Sequence, residues 1–464
     1  MEFSKSGKTL YFNGHALKGN GHGVCYDIKT REIYWISGLK KNGQDRHWAG
    51  NKNAMKCRDC FVFYFYLNTS YFYLMQKNHL KSQFLLRDDI TYLNFGSFGA
   101  CPKPVFGRYQ QYQLELEQEP VQFITVDGLQ YLKQSREALG AYVNCDPDDV
   151  VYVVNPSYAV NIVAKSMDLK EVDEILTTNI EYGACDRTWN FYCGKKGAKY
   201  IRQPIRFPLQ SKEDFIEQFF KGLTSKTKLV FISHITSSTG IRLPVEEICA
   251  IAKQKGLLAF VDGAHAPGQL PLNLKTLQAD FYTGACHKWM LTPKGSSFLY
   301  VKKELQEICD PLVVSWGYKS AKPSHSQFLD YHQTQGTRDY SAFLTIPAAI
   351  DFMEVNNWPE VAAHCREITI SNADRFCDLL KSEPICNSME DFIFQLYSTR
   401  IKTSYPEQLH ALLFDKYKIE ISVMPHEGEV YLRYSIQAFN SQEDLDKLHD
   451  AIKDIIQTTG LIEQ

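Results

Sequence analysis

The sequence predicts an α/β protein: a large domain built on a mainly parallel sheet flanked by helices, followed by a small C-terminal α+β domain. Two observations carry this. From about residue 148 short β-rich runs alternate with helical runs, and after about residue 355 the alternation gives way to longer helices and fewer, mixed strands. Strand–helix alternation is the mark of crossover units, which make neighbouring strands parallel and cover both faces of the sheet. With 464 residues the chain can bury a sizeable core and hold more than one domain. Hydrophobic residues at 44% and charged residues at 22% are ordinary for a globular chain, so disorder is not the default.

Taken in order, residues 1–75 fit neither domain. "KTLYFNG", "VCYDIKT" and "EIYWISG" read as short strands joined by turns, and an aromatic run, "CFVFYFYLNTSYFYLM", occupies residues 60–75. This stretch is expected to be a fused small module or upstream sequence that catalysis does not need, with Met75 just before the main pattern starts. Asn68, Thr69 and Ser70 interrupt the aromatic run, which falls short of the roughly 18–20 apolar residues of a spanning helix; a membrane-surface role is the alternative. The opening "MEFSKSGKTLYFNG" has neither the apolar run nor the cleavage site of a secretory signal. Residues 76–147 carry a helical entry segment, "PVFGRYQQYQLELEQEP", expected to pack on the large domain, which runs to 354.

"DVVYVVN", "EILTTN", "AKYIRQP", "KLVFISHI" and "LLAFVDGA" read as strands, and "AVNIVAKSMDL", "KEDFIEQFFKGL" and "PVEEICAIAKQKG" as helices with apolar spacings of three and four. Residues 355–464, through "ADRFCDLLKSEP", "DFIFQLYST", "EQLHALLFDKY" and "VYLRYSIQAF", read as the small domain.

Charge and cysteine usage exclude several classes. The 51 basic and 53 acidic side chains leave a net charge of -2, so no bulk field favours nucleic acid or an anionic membrane. Many of the 13 cysteines lie in apolar runs such as "ICAIA", which suits reduced, buried thiols and a cytoplasmic location rather than a disulfide framework. Cys57 and Cys60 form a CxxC without a second ligand pair at regular spacing, so no metal site is expected.

Open parallel sheets bind ligands at the carboxyl ends of their strands. Asp262 ends "LLAFVD", and Lys288 follows the next strand-like run, "ADFYTGA". Alone, the aspartate could cap a turn and the lysine could be a surface charge. Together they are the arrangement needed for pyridoxal phosphate: the lysine forms a Schiff base, and the carboxylate keeps the pyridine nitrogen protonated so that the ring accepts electrons.

At these residues the chain resembles a known family. "FVDGAHAPGQLPLNLKTLQADFYTGACHKWMLTPKGSSFLYV" is similar to the class V branch of fold type I pyridoxal-phosphate enzymes, in particular isopenicillin N epimerase-like members, over roughly residues 90–460. The resemblance implies a mainly parallel seven-stranded sheet in the large domain, pyridoxal 5'-phosphate as cofactor, and a homodimer. It places the cofactor phosphate at the turn of Asn155, Pro156 and Ser157, where a capped helix start supplies amides. It stacks Tyr182 on the pyridine face, an arrangement worth about 0.5–1.5 kcal/mol beyond burial. Ser237 and His265 would approach the phenolic oxygen, and His287 would donate to the phosphate. Gly336 and Thr337 would reach the phosphate of the neighbouring subunit. Arg433 would bind the substrate α-carboxylate through its planar fork, with Asn94 also at the substrate. The flanking "YL" and "YSI" put Arg433 on one face of a half-buried strand.

The implied chemistry acts at the α-carbon of an amino acid or a derived substrate through an external aldimine, with Lys288 as base. Transamination and epimerisation differ in where the proton returns, and epimerisation needs a second acid, for which Tyr182 or a neighbour is the candidate. A cysteine desulfurase needs a nucleophilic thiol shortly before the carboxylate-binding arginine, but "KIEISVMPHEGEVYL" has none and the last cysteine is Cys386. A lyase-type class V enzyme and a non-catalytic cofactor binder are further alternatives. One departure stands out: relatives usually read "NHGSFG" where this chain has "NFGSFG", with Phe95 replacing the histidine at the substrate entrance.

Overall fold

A computed structural model describes residues 80–463 in full and, of the N-terminal stretch, only the backbone of six short strands. The chain divides into two compact units, Met1–Gln76 and Lys77–Gln464. In the first, β1 (Glu2–Phe3), β2 (Thr9–Phe12), β3 (His15–Gly19), β4 (Val24–Asp27), β5 (Ile33–Ile36) and β6 (Ala49–Asn51) form one sheet in sequence order, each antiparallel to the next. The strand runs read from the sequence fall on β2, β4 and β5. The aromatic run, Cys57, Cys60 and Met75 lie outside the described residues.

The second unit begins with β7 (Thr91–Tyr92), α1 (Lys103–Gln118) and α2 (Gly128–Val143). Next come β8 (Val150–Val153), α3 (Pro156–Ser166), β9 (Glu174–Thr178), α4 (Gly183–Lys196), β10 (Lys199–Gln203), α5 (Lys212–Phe220), β11 (Thr227–Ser233), α6 (Val245–Gln254), β12 (Leu258–Gly263), β13 (Phe281–Ala285) and β14 (Ser297–Val301). Together these strands form a seven-stranded sheet in the order β10-β9-β11-β12-β13-β14-β8. Only β14 runs against its neighbours.

Consecutive residues of these strands feed opposite cores, which is why the strands are apolar throughout. Val151, Phe231, Phe260 and Phe281 pack with Val163 of α3 and Trp189 of α4. Tyr152, Ile232, Val261 and Tyr282 pack with Leu139 of α2 and Ile248 of α6 on the other face. Each fully buried side chain of this size contributes about 1.5–3 kcal/mol, so the sheet is a rigid base for whatever stands at its edge.

The rest of the unit is α7 (Ile346–Val355), α8 (Trp358–Ser371), α9 (Ala373–Leu380), β15 (Leu396–Arg400), α10 (Pro406–Asp415), β16 (Ile419–Glu420), β17 (Ser422–His426), β18 (Glu429–Ser435) and α11 (Gln442–Thr458). β18 lies between β15 and β17, antiparallel to both. The half-buried strand expected around Arg433 is instead buried from Tyr431 through Ser435. One face carries Tyr434 against Phe376 of α9, ring centroids 5.3 Å apart. The entry segment closes the other: the Ser435 amide donates to the Leu93 carbonyl at 2.8 Å, and the Gly96 amide donates to the Ser435 hydroxyl at 3.0 Å. "DFIFQLYST" likewise differs from its reading as one strand, since Met389–Phe392 is a helical turn and pairing starts only at Leu396.

Because Lys77–Gln464 is a compact unit of its own, a chain beginning at Met75 is expected to fold and to keep cofactor binding and turnover. Circular dichroism, cofactor absorbance and an activity assay check this; a folded but inactive product would refute it.

Candidate active site

β12 delivers the first group. Its apolar run packs between β11 and β13 and stops at Asp262, buried at the carboxyl end of the strand. One carboxylate oxygen accepts the Ala264 amide at 3.0 Å, and the other accepts the Cys185 thiol at 3.5 Å. Burial pushes the carboxyl up from its ordinary range, while the Ala264 amide and the charge of Lys288 pull it back.

β13 lies beside β12 with Thr283 opposite Asp262, and the chain leaves it through the turn Cys286–Met290 that carries Lys288. The lysine amine stands 3.3 Å from His265 Nε2. Burial lowers its pKa to about 8, the Arg433 charge lowers it further, and Asp262 and Cys185 oppose both. An amine so poised is part free base near neutral pH, the form a nucleophile or general base must have. The entry segment presses on this turn at Gly99, whose φ is +66°. A Cβ there would sit 2.2 Å from the His287 carbonyl oxygen and 2.9 Å from Lys288 Cα, so only glycine fits.

β18 brings Arg433, only 2% exposed. Nη1 donates to the Ser237 carbonyl at 2.5 Å and to its hydroxyl at 3.3 Å; Nη2 donates to the Ser97 hydroxyl at 3.0 Å and to Asn94 Oδ1 at 3.5 Å. All of these partners are neutral, and Nε is buried without a partner. Burial lowers the guanidinium pKa to about 10. A buried cation surrounded by neutral dipoles is costly to maintain, and an arriving carboxylate would relieve that cost. Asn94 is itself fixed by donating to Glu420 at 2.8 Å and accepting from the Ser97 hydroxyl at 2.6 Å.

The remaining expected residues fall as follows. Asn155 caps α3 by accepting the Tyr158 amide at 2.9 Å, with Pro156 in the first turn and Ser157 following. Tyr182 occupies the N-cap of α4 with 49% of its surface exposed. Ser237 stands with Arg433. His265 stands with Lys288. His287 donates Nδ1–H to the Ser296 carbonyl at 2.8 Å, and burial lowers its pKa to about 4. In the neutral ring Nε2 is therefore an acceptor, and donation to a phosphate needs the protonated ring. Gly336, at φ +101°, and exposed Thr337 lie in a loop tied to α3 of the same chain, since Tyr158 donates to Gln335 at 3.2 Å.

Three neighbours carried no sequence signal. Ser97 and Cys185 reach Arg433 and Asp262 only through tertiary packing. Glu181 is buried at the end of β9, accepting from Thr178 at 2.6 Å and from the Ser233 amide at 2.9 Å, and burial pushes its pKa up to about 8. Phe95 does not line an entrance: it is fully buried, with its ring 4.9 Å from that of Trp289.

A lysine and a carboxylate on adjoining strand ends of a seven-stranded sheet of this order, with an unneutralised arginine beyond them, define a fold type I pyridoxal-phosphate protein. The chain belongs to the class V aminotransferases, since the family model described as "Aminotransferase class-V" matches residues 99–448. It is 30% identical over 389 residues to isopenicillin N epimerase of Amycolatopsis lactamdurans, covering 81% of this chain and 97% of the relative. A probable chloroplastic L-cysteine desulfhydrase of Arabidopsis thaliana is 26% identical over 419 residues, covering 82% and 86%. In fold it is similar to a cysteine desulfurase from Thermococcus onnurineus NA1, with TM-score 0.71, 20% identity, and 82% and 98% of the two chains covered.

The cofactor of this family is pyridoxal phosphate, and the residues present fit it. Asp262 offers a buried carboxylate that a ring cation would satisfy, and Lys288 offers an amine already depressed toward its free base.

The rate at which cofactor-free protein takes up pyridoxal phosphate is expected to rise with pH to a midpoint near 8. Arg433→Gln removes a cation that disfavours the ammonium, so its midpoint should move up; stopped-flow absorbance against pH measures both.

Proposed function

We propose that the protein is an enzyme that removes the α-proton of an amino acid or amino-acid-derived substrate with a free carboxylate, leading to epimerisation or transamination. The observation that carries this is Arg433, a buried guanidinium with no anion among its partners, in electrostatic reach of the Lys288 amine. Pyridoxal phosphate, once bound, supplies the electron sink that acidifies the Cα–H bond.

The chain's own residues do the rest. Arg433 clamps the substrate carboxylate, with Asn94 and Ser97 holding its fork in place. Lys288, at Nζ, accepts the α-proton. Asp262 keeps a proton on the ring nitrogen by its negative charge. Tyr182 lies along the ring, and the amides at Ser157 and the start of α3 receive the phosphate. Returning the proton from Lys288 to its original face gives no net change; a second acid on the other face, for which Tyr182 is the candidate, would invert the centre.

Lyase chemistry of the desulfhydrase kind is the second reading, because it too begins with Lys288 as base. A desulfurase reading has less support: Cys386, the last cysteine, is buried with its thiol pushed up to about 12, far from a thiolate nucleophile.

We further propose a homodimer in which Gly336 and Thr337 reach the neighbouring subunit's phosphate. Beside that loop, the Gly317 amide donates to the Thr334 carbonyl at 3.1 Å, and the flanking Val314 and Trp316 are 65% and 84% exposed. Aromatic surface so bare fits an interface with a second copy.

Borohydride treatment of the loaded enzyme should fix cofactor on the peptide carrying Lys288, and Lys288→Ala should abolish both label and turnover. Chiral and mass analysis of products from a panel of L-amino acids, with and without a keto-acid acceptor, separates epimerisation, transamination and elimination; no product from any substrate would defeat the enzyme reading. Trp316→Glu is expected to shift the mass seen by light scattering from dimer to monomer and to weaken cofactor retention.

A further inference from the structure

The turn that carries Lys288 also carries Trp289, which is fully buried. Its indole is seated by Phe95 on one side, and its carbonyl is closely approached by Gly268, where a Cβ would lie 2.1 Å away. The indole Nε1–H points at His265 Nδ1, 3.2 Å away, while His265 Nε2 lies 3.3 Å from the lysine amine. The histidine thus stands between an indole that can only donate and an amine that donates or accepts according to its protonation.

Hydrogen-bond accounting settles the roles. A neutral imidazole has one N–H, and because the indole must donate, Nδ1 must accept. Nε2 therefore carries the proton and donates to Nζ, which has a lone pair to receive it only as the neutral amine. An imidazolium would set N–H against N–H at Nδ1, and burial together with the charges of Lys288, Arg433 and His287 disfavours it as well.

We propose that Trp289 is a positioning residue that locks His265 in the Nε2–H tautomer, making the histidine a donor toward the Lys288 amine and holding that amine as its free base. This rests on the reading of Lys288 as the cofactor-binding amine. The charged and titratable groups acting on Lys288 are Arg433, Asp262, Cys185 and His265, and those acting on His265 are Lys288, Arg433 and His287. None of them can fix the tautomer, because none bonds to Nδ1; the indole does. Without it, the ring is free to place its proton on Nδ1 and to present Nε2 as an acceptor for the ammonium.

The test is the pH dependence of pyridoxal-phosphate uptake by the cofactor-free full chain, read by absorbance. Trp289→Phe is expected to raise the midpoint by about one pH unit. In a His265→Asn background the same substitution should add no further shift. An unchanged midpoint in a folded Trp289→Phe protein, or a shift that persists without the histidine, would overturn the proposal, the latter because it would reflect loosened packing. If Trp289→Phe does not fold, the 15N imidazole spectrum of the wild-type chain, with the His265→Asn difference for assignment, decides. A pyridine-type nitrogen at Nδ1 supports the lock, and one at Nε2 refutes it. The spectrum needs no cofactor, so this inference can fail while borohydride labelling at Lys288 succeeds, and the reverse.

Discussion

The site depends on ionisable groups held out of water at one edge of a rigid sheet without enough opposite charge to neutralise them. Lys288 and Arg433 disfavour each other's charge, Asp262 alone opposes them, and the atoms that hold Arg433 are neutral carbonyl, amide and hydroxyl oxygens. Such a cluster costs stability in isolation. The two apolar layers on either face of the sheet supply the stabilisation that lets it persist, and the same rigidity fixes where each group stands.

Each group comes from a different part of the chain, and the entry segment unites them. "YLNFGSFG" pairs with β16 through β7, hydrogen-bonds to β18 at Ser435, supplies Asn94 and Ser97 to Arg433, and lies against the Lys288 turn at Gly99. Phe95, where relatives usually carry histidine, packs under Trp289. The replacement exchanges a titratable ring for an apolar one whose contact is with the indole that bonds to His265, so its consequence falls on the lysine's surroundings as much as on the substrate's path.

Family membership and reaction are separate levels of conclusion. The match over residues 99–448 and the sheet order settle the family and the fold. Relatives at 30% and 26% identity carry epimerase and desulfhydrase names. These outcomes share proton removal at Cα and diverge in what happens next, a choice set by groups on the far face of the substrate that contribute nothing to the shared machinery.

Much of this protein was legible in its sequence. Strand–helix alternation gave the parallel sheet, because each buried strand must be apolar on both faces and each crossover helix on one. The strand-end aspartate and the lysine beyond the next strand gave the chemistry, since few arrangements place a carboxylate and an amine together at a ligand-binding edge. Cys185 under Asp262, Ser97 under Arg433 and the burial of both faces of β18 were decided only in three dimensions. Those contacts join residues far apart in sequence, and neither periodicity nor local propensity records which loop will come to cover which strand. The tautomer of His265 belongs to the same group: "HKW" displays the indole, but only the folded turn determines which ring nitrogen it meets.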